Sequence, residues 1–499
     1  MLPCRAYAAL LACVLPVSVV AELDSLSLNG EWGLTLDAHP NSWWLMPGQP
    51  SSPPAFNHSS NSTIQLPGRS VGAAGFGDGG PGRKHAYIGS VLYTKSVSLP
   101  AGWAAGGAAA AAAAASSSLS VALTFGGVFR SMQLWVNGEA AGTHYGYMDP
   151  FEFDITAQVR RQLASSGGGA ATTLEIVARV SGSKSALNGD GLSGCFDWGD
   201  GLSSMVGGWM GIWGDVAVVA RHRQLATEDL HIRLLRHEPP RHGGATDATV
   251  SVGGTVSAEA ATDESLTRGV VLSCTVHAHI PGLGQGPEPI ATVFEAPLAD
   301  LLILRNSEDQ AAAAAMAGET RRTAFAFELD LSHVQLWGPG TPALYYATVT
   351  LRSADGSLLD SARERFGLRT IVVDGPFFLL NGKRHFMSGM GDDFGYETEA
   401  PPMNSSVYAA RFATFKSFGF NYIRLHSHWE APGYYAAADE AGFFVSSNLP
   451  ENCAQPACTN LTLRTWKAMI KTHRNHPSIF DNGMGNEHCE FDRVERDPM

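Results

Sequence analysis

The sequence predicts a mostly β, multidomain protein: two antiparallel β-sandwiches, the second immunoglobulin-like, followed by parallel β/α units. Three observations predict it. The chain has 499 residues, room for about three domains of ordinary size. Apolar and polar residues alternate with period two through much of the chain before Phe366, the pattern of half-buried strands. From Phe366 onward apolar residues recur at helical spacing, separated by short apolar runs, and that alternation is the rhythm of parallel β/α units.

The N-terminal 21 residues read as a secretory signal. Arg5 supplies the charge, Tyr7 to Val20 the apolar stretch, and Val19-Val20-Ala21 a small-residue cleavage site, so the mature chain is expected to begin at Glu22. Residues 22–222 carry the first sandwich. Within them Ser120 to Phe125 and Met132 to Val136 alternate cleanly, and Asn137-Gly138 is a strong hairpin signal. Residues 223–366 carry the second, with strands expected at Asp229 to Leu235, Val270 to His279, Thr323 to Leu329 and Ala343 to Arg352, a size that suits seven strands. The alanine tracts Ala108 to Ala115 and Ala311 to Ala315 read as loop insertions.

Residues 367–499 form the β/α part. Strands are expected at His385 to Met390, Asn421 to Leu425, Phe443 to Ser446 and Ser478 to Met484. Tyr408, Phe412 and Phe415 mark one helix, starting after Asn404 and stopped by Gly419, and Leu463, Trp466 and Ile470 mark another.

With 44% hydrophobic and 16% charged residues the composition is that of a globular protein. A formal charge of −13 and the lack of a basic cluster argue against nucleic acid and anionic membranes as partners. No run after the signal is long and apolar enough to span a bilayer. A secreted or lumenal product follows, and the sequons at Asn57, Asn61, Asn404 and Asn460 are compatible with a glycoprotein. Of seven cysteines, Cys195, Cys274, Cys453, Cys458 and Cys489 would remain after cleavage, an odd number. Cys453 and Cys458 are spaced for a small loop disulfide or for two thiols.

Several motifs then fall in one order. They are Phe125-Gly126-Gly127-Val128, Leu134-Trp135-Val136-Asn137-Gly138, Pro150-Phe151-Glu152-Phe153-Asp154-Ile155-Thr156, Gly207 to Val216, Leu336-Trp337-Gly338-Pro339-Gly340-Thr341-Pro342-Ala343-Leu344-Tyr345, Phe366-Gly367-Leu368-Arg369, Leu379-Leu380-Asn381-Gly382-Lys383 and Gly485-Asn486-Glu487. As a set they resemble glycoside hydrolase family 2, which includes β-galactosidases, β-glucuronidases and β-mannosidases. The resemblance implies a galactose-binding-like jelly roll, an immunoglobulin-like middle domain and a (β/α)₈ TIM barrel whose active residues lie at the C-terminal ends of its strands.

By that match Glu487 is the general acid/base of a retaining, two-carboxylate hydrolysis of β-glycosides, and Asn486 bonds the 2-hydroxyl of the sugar. Arg424 matches the arginine that orients the nucleophile, and His426 and His428 lie where the family lines its pocket. Asp392 and Asp393 follow the first strand, within reach of sugar hydroxyls. Asn448, with Glu451 nearby, stands where an acidic residue is common, and Asp481 and Asn482 stand where the fourth strand is usually apolar. The sequence accounts for four barrel strands of eight and offers no residue for the nucleophile, which the family draws from its seventh strand. The chain is therefore expected to be inactive alone, an N-terminal portion of such an enzyme. The alternative is a non-catalytic carbohydrate-binding protein derived from one. Either way the partner is a carbohydrate, with no cofactor or metal.

Overall fold

The computed structural model describes residues 24–36, 62–66, 90–99, 119–146, 149–165, 172–181, 211–222, 225–239, 244–258, 269–280, 284–290, 293–303, 321–392, 404–426, 428–449 and 459–483. The signal segment, both alanine tracts, Asn57, Asn61, Asp393, Glu451, Asn486, Glu487 and every cysteine except Cys274 lie outside these residues. Among the described residues no helix is long and apolar enough to cross a membrane.

Two sheets make up the N-terminal part. One orders its strands Asp24–Ser27, Val216–His222, Leu119–Phe125, Phe151–Asp154, and the other has seven strands around Val128–Val136, Thr173–Ser181 and Ser90–Ser98. Every pairing is antiparallel. Alternate residues of Leu119–Phe125, namely Val121, Leu123 and Phe125, enter one core with Met132, Leu134 and Val136 of the facing sheet. Asn137 and Gly138 both take positive φ, 51° and 80°, between two paired strands. That is the turn in which the Asn-Gly pair is favoured. A helix at Thr156–Ser165, which the alternation pattern did not signal, follows Phe151–Asp154.

The middle part is again two antiparallel sheets. Ala226–His237, Ala245–Ala258, Arg321–Gln335 and Leu302–Ile303 form one, and Val271–Ile280, Tyr345–Arg352 and Leu358–Phe366 with two short strands form the other. Val250, Val252, Phe327 and Leu329 meet Leu272, Cys274, Val349 and Leu351 in a second core. Cys274 is a buried free thiol, and burial pushes its pKa up to about 12.

A three-stranded hairpin sheet, Ile371–Asp374, Phe377–Leu380 and Lys383–His385, leads into a four-stranded parallel sheet. Its strands are β1 (Gly389–Asp392), β2 (Tyr422–Leu425), β3 (Phe444–Asn448) and β4 (Ile479–Gly483), in that order. Between them run α1 (Ser405–Ser417), α2 (Pro432–Ala441) and α3 (Thr459–His473). The first strand begins later than the sequence pattern suggests: the apolar stretch from His385 is divided between the hairpin and β1. Asn421 enforces the division. Its Oδ1 accepts the Ser388 N–H at 3.0 Å, its Nδ2 donates to the Phe386 carbonyl at 2.8 Å, and its backbone N–H donates to the Ser388 carbonyl at 2.9 Å, so one residue holds the connecting segment.

One face of this sheet is closed by the helices, with Ile423, Leu425, Val445 and Ile479 against Phe412, Tyr434, Tyr435 and Met469. At the N-terminal end of the other face, Tyr422, Phe444 and Phe480 are sealed by Leu380 and Trp337. The same end is bonded to the middle sandwich. Trp337 Nε1 donates to the Asp439 carbonyl at 2.8 Å, Asn475 bonds Ile232 N–H and the Leu230 carbonyl at 3.0 and 2.8 Å, and Arg365 meets Asp439 and Glu440 at 3.3 and 2.7 Å. Gly442, at φ 66°, brings the backbone against Gly338 and Pro339, where a Cβ would stand 2.9 Å from the Gly338 oxygen. Only glycine tolerates both the conformation and the approach.

Candidate active site

The C-terminal ends of the four parallel strands face away from the middle sandwich and gather the polar residues. Asp392 closes β1. It is buried at 6% exposure, its carbonyl accepts the His426 N–H at 2.9 Å, and its carboxylate is ion-paired with Arg411 of α1. That pairing binds the carboxylate to the scaffold rather than presenting it to a ligand.

On β2, Arg424 stands in register with Ser446 of β3, and Ser446 with Asp481 of β4. Ser446 Oγ donates to Asp481 Oδ1 at 2.7 Å, and Arg424 acts on the same carboxylate electrostatically. The pairing of β3 with β4 slips between Val445–Ile479 and Ser446–Asp481. Such a bulge lets two successive residues share a face: Phe480 seals the floor while Asp481 joins the polar row above it. Asn482 turns instead to the helices, where its Oδ1 lies 2.9 Å from His473 Nδ1 and its carbonyl accepts from Trp466 Nε1. The two polar residues that look out of place in the fourth strand each have a partner. His473 is held neutral, its pKa brought down to about 3 by burial.

His426 follows the end of β2 and is half-buried. His428 is buried at 2% exposure. Its Nδ1 is 2.9 Å from the His426 carbonyl, and its own carbonyl accepts the Asn448 N–H at 3.1 Å, which ties the loop after β2 to the end of β3. Asn448 is itself buried beside Gly483 at the end of β4. Here the structure adds a residue that the sequence reading passed over. Glu430 is buried, with its carboxyl 3.5 Å from His428 Nε2. Burial, reinforced by the Asp392 carboxylate and opposed by His428 and Arg411, pushes its pKa up. Its local sequence, Trp429-Glu430-Ala431-Pro432, offers a lone Glu just before a Pro that starts a helix, and no motif.

Arg424, His426 and His428 are thus brought to one end of one sheet. Asn486 and Glu487 lie outside the described residues, three and four positions beyond the last residue of β4. No group of three or more His, Cys, Asp or Glu side chains able to hold a metal ion occurs among the described residues.

Residues 290–369 match the family model of glycosyl hydrolases family 2. They span the later strands of the middle sandwich and its exit through Phe366-Gly367-Leu368-Arg369. A β-galactosidase of Pectobacterium atrosepticum is 26% identical over 169 residues, which is 32% of this chain and 16% of that protein. By fold, the chain superposes on β-glucuronidase of Bifidobacterium dentium complexed with coumarin-3-O-glucuronide at a TM-score of 0.66 and 17% identity, covering 93% of this chain and 68% of that one. Bacteroides uniformis β-glucuronidase 3 gives 0.62 and 18%, with 93% of this chain and 51% of that one covered. The chain therefore spans about half to two thirds of the length of these solved structures. A mostly β, multidomain fold like that of these β-glucuronidases and a matched segment in its middle are consistent with membership of glycosyl hydrolases family 2.

Proposed function

We propose that this chain carries the acid/base half of a retaining β-glycoside hydrolase active site, with the parallel sheet as the first half of a (β/α)₈ barrel. The two sandwiches before it are read as the jelly roll and the immunoglobulin-like domain. The observation that carries the reading is positional: β4 ends at Gly483, at the same rim as Asp392, His426 and Asn448, and the sequence runs from there directly into Gly485-Asn486-Glu487. In a barrel, that rim is where catalytic residues stand.

Glu487 protonates the glycosidic oxygen and later activates water, and Asn486 holds the sugar 2-hydroxyl. Arg424, with His426 and His428 beside it, shapes the pocket floor and wall. A retaining mechanism needs a second carboxyl group about 5 Å from the first, and no residue of this sequence is assigned that role. The related proteins act on or bind galactosides and glucuronides by their names, which makes a β-linked hexose or hexuronide the substrate class to test first.

The test uses an enzyme preparation that contains this chain and turns over aryl β-glycosides. Glu487→Gln is expected to slow substrates with poor leaving groups far more than those with good ones, because protonation matters most when the leaving oxygen is basic. Equal loss across the series would count against an acid role. Saturable sugar binding with no turnover under any condition would favour the carbohydrate-binding alternative.

A further inference from the structure

Glu430 is buried without the contacts that an ionised carboxylate needs. Its side chain is 0% exposed, and among the described residues neither oxygen has a hydrogen bond of ordinary length. Its backbone N–H is satisfied separately, by Tyr435 Oη at 2.9 Å, which in turn lies 2.8 Å from Ser447 Oγ. The polar group set against the carboxyl is the His428 imidazole, with Nε2 3.5 Å from Oε1.

The other ring nitrogen decides which proton lies between them. His428 Nδ1 is 2.9 Å from the His426 carbonyl oxygen. A carbonyl only accepts, so Nδ1 carries the proton and Nε2 of the neutral ring presents a lone pair to Glu430. Two lone pairs repel, and a proton on the carboxyl turns that repulsion into a hydrogen bond. The opposite arrangement, imidazolium against carboxylate, buries two charges. It is favourable only with every remaining lone pair satisfied, and Oε2 has no hydrogen-bond partner among the described residues. The surrounding charges agree. Asp392 of β1 and Arg411 of α1 are already paired with each other, His426 lies on the same loop, and the helices contribute the Tyr435 hydroxyl and the neutral His473 ring, which packs on Tyr435 and Trp429.

We propose that Glu430 is a positioning residue, donating a hydrogen bond from its protonated carboxyl to His428 Nε2 and so fixing the His426–His428 turn at the mouth of the sugar pocket. This rests on the reading of that rim as a sugar site. His428 holds His426 through its ring and Asn448 through its carbonyl, so orienting one ring sets the ends of β2 and β3 together.

The test is nitrogen NMR of the full chain labelled in histidine, with His428 assigned by comparison with His428→Gln. The His428 ring should show the tautomer with the proton on Nδ1, the nitrogen that faces the His426 carbonyl. Glu430→Gln keeps a donor of the same shape and should preserve that spectrum. Glu430→Val removes the donor, and it should shift or broaden both the His428 and His426 signals and weaken monosaccharide binding about tenfold.

Thermal stability gives a second readout. A carboxyl whose folded pKa is raised stabilises fully below its unfolded value of 4.5 and progressively less as pH rises toward the folded value. The wild type should therefore lose melting temperature relative to Glu430→Gln as pH rises above 4.5. An imidazolium at His428, identical His426 and His428 spectra in all three proteins, or a melting difference independent of pH would each overturn the assignment. A chain with the expected spectra that binds no sugar would keep the role of Glu430 and sink the pocket reading instead.

Discussion

Asp439 offers the sharpest test of how the parallel sheet is held. The residue lies in the last turn of α2 at 1% exposure, and its carboxylate accepts from His476 Nδ1 at 2.6 Å, from the Ser478 backbone N–H at 3.1 Å and from Arg365 at 3.3 Å. Burial alone would raise its pKa, but His476, Arg365 and the Ser478 N–H outweigh burial and hold it below the usual value. Asp439→Ala removes all three acceptor contacts. Breaking a buried ion pair costs about 3–5 kcal/mol. Arg365 keeps Glu440 at 2.7 Å and the Ala436 carbonyl at 3.1 Å, so its charge is not stranded. Ser478 N–H is left bare, at about 1–3 kcal/mol. The expected loss is about 3 kcal/mol at neutral pH. It should be read from hydrogen exchange of the β2 to β4 amides, since a chain of several domains need not unfold in one step. Because the folded pKa is depressed, the stabilisation is present above the unfolded value of 3.8 and fades as pH falls through the folded value. A loss under about 1 kcal/mol at neutral pH, too small for breaking a buried pair, would refute the reasoning. So would a loss that does not shrink on acidification.

Three further outcomes are expected. Gly442→Ala should cost more than Gly419→Ala in chemical denaturation: both positions have positive φ, about 1–2 kcal/mol for a side chain, but only Gly442 would drive its Cβ into Gly338 and Pro339. Asn475→Ala should lower stability by about 1–3 kcal/mol, since Ile232 N–H loses its acceptor, and limited proteolysis should then separate the middle sandwich from the sheet more readily. If the N-terminal segment is a signal, protein recovered from culture medium should begin at Glu22, and an intact Met1 terminus found only in the cytosol would reject secretion.

The strands of both sandwiches were legible because each hides one face, and the alternation in Leu119–Phe125 or Tyr345–Arg352 records which. Helix α2 was not legible for the opposite reason. Its residues Gly433 through Asp439 are all buried, so Pro-Gly-Tyr-Tyr-Ala-Ala-Ala shows no apolar stripe. Asp481 and Asn482 looked foreign to a strand because their partners, Ser446 and His473, come from other elements and no local pattern announces them. Glu430 escaped for the same reason: its burial is produced by the loop folding onto α2 and β3, contacts that lie only in three dimensions. Arg424 and the two histidines were found through motif resemblance, while periodicity alone would have left them as ordinary rim residues.

Asn421, Gly442, Asn475 and Asp439 share a location that bears on how such a protein can change. Each fastens the N-terminal ends of the strands, whereas His426, Glu430 and Asn448 stand at the opposite ends, followed by loops. Tolerance to mutation should be divided along the same line. Loop lengths at the rim can drift, and with them the shape of what is held there, while the anchoring end resists even a single added methyl group. A library randomised after β1, β2 and β3 would sample new ligands on an unchanged frame, and the same library placed at the other end would mostly yield chains that do not assemble.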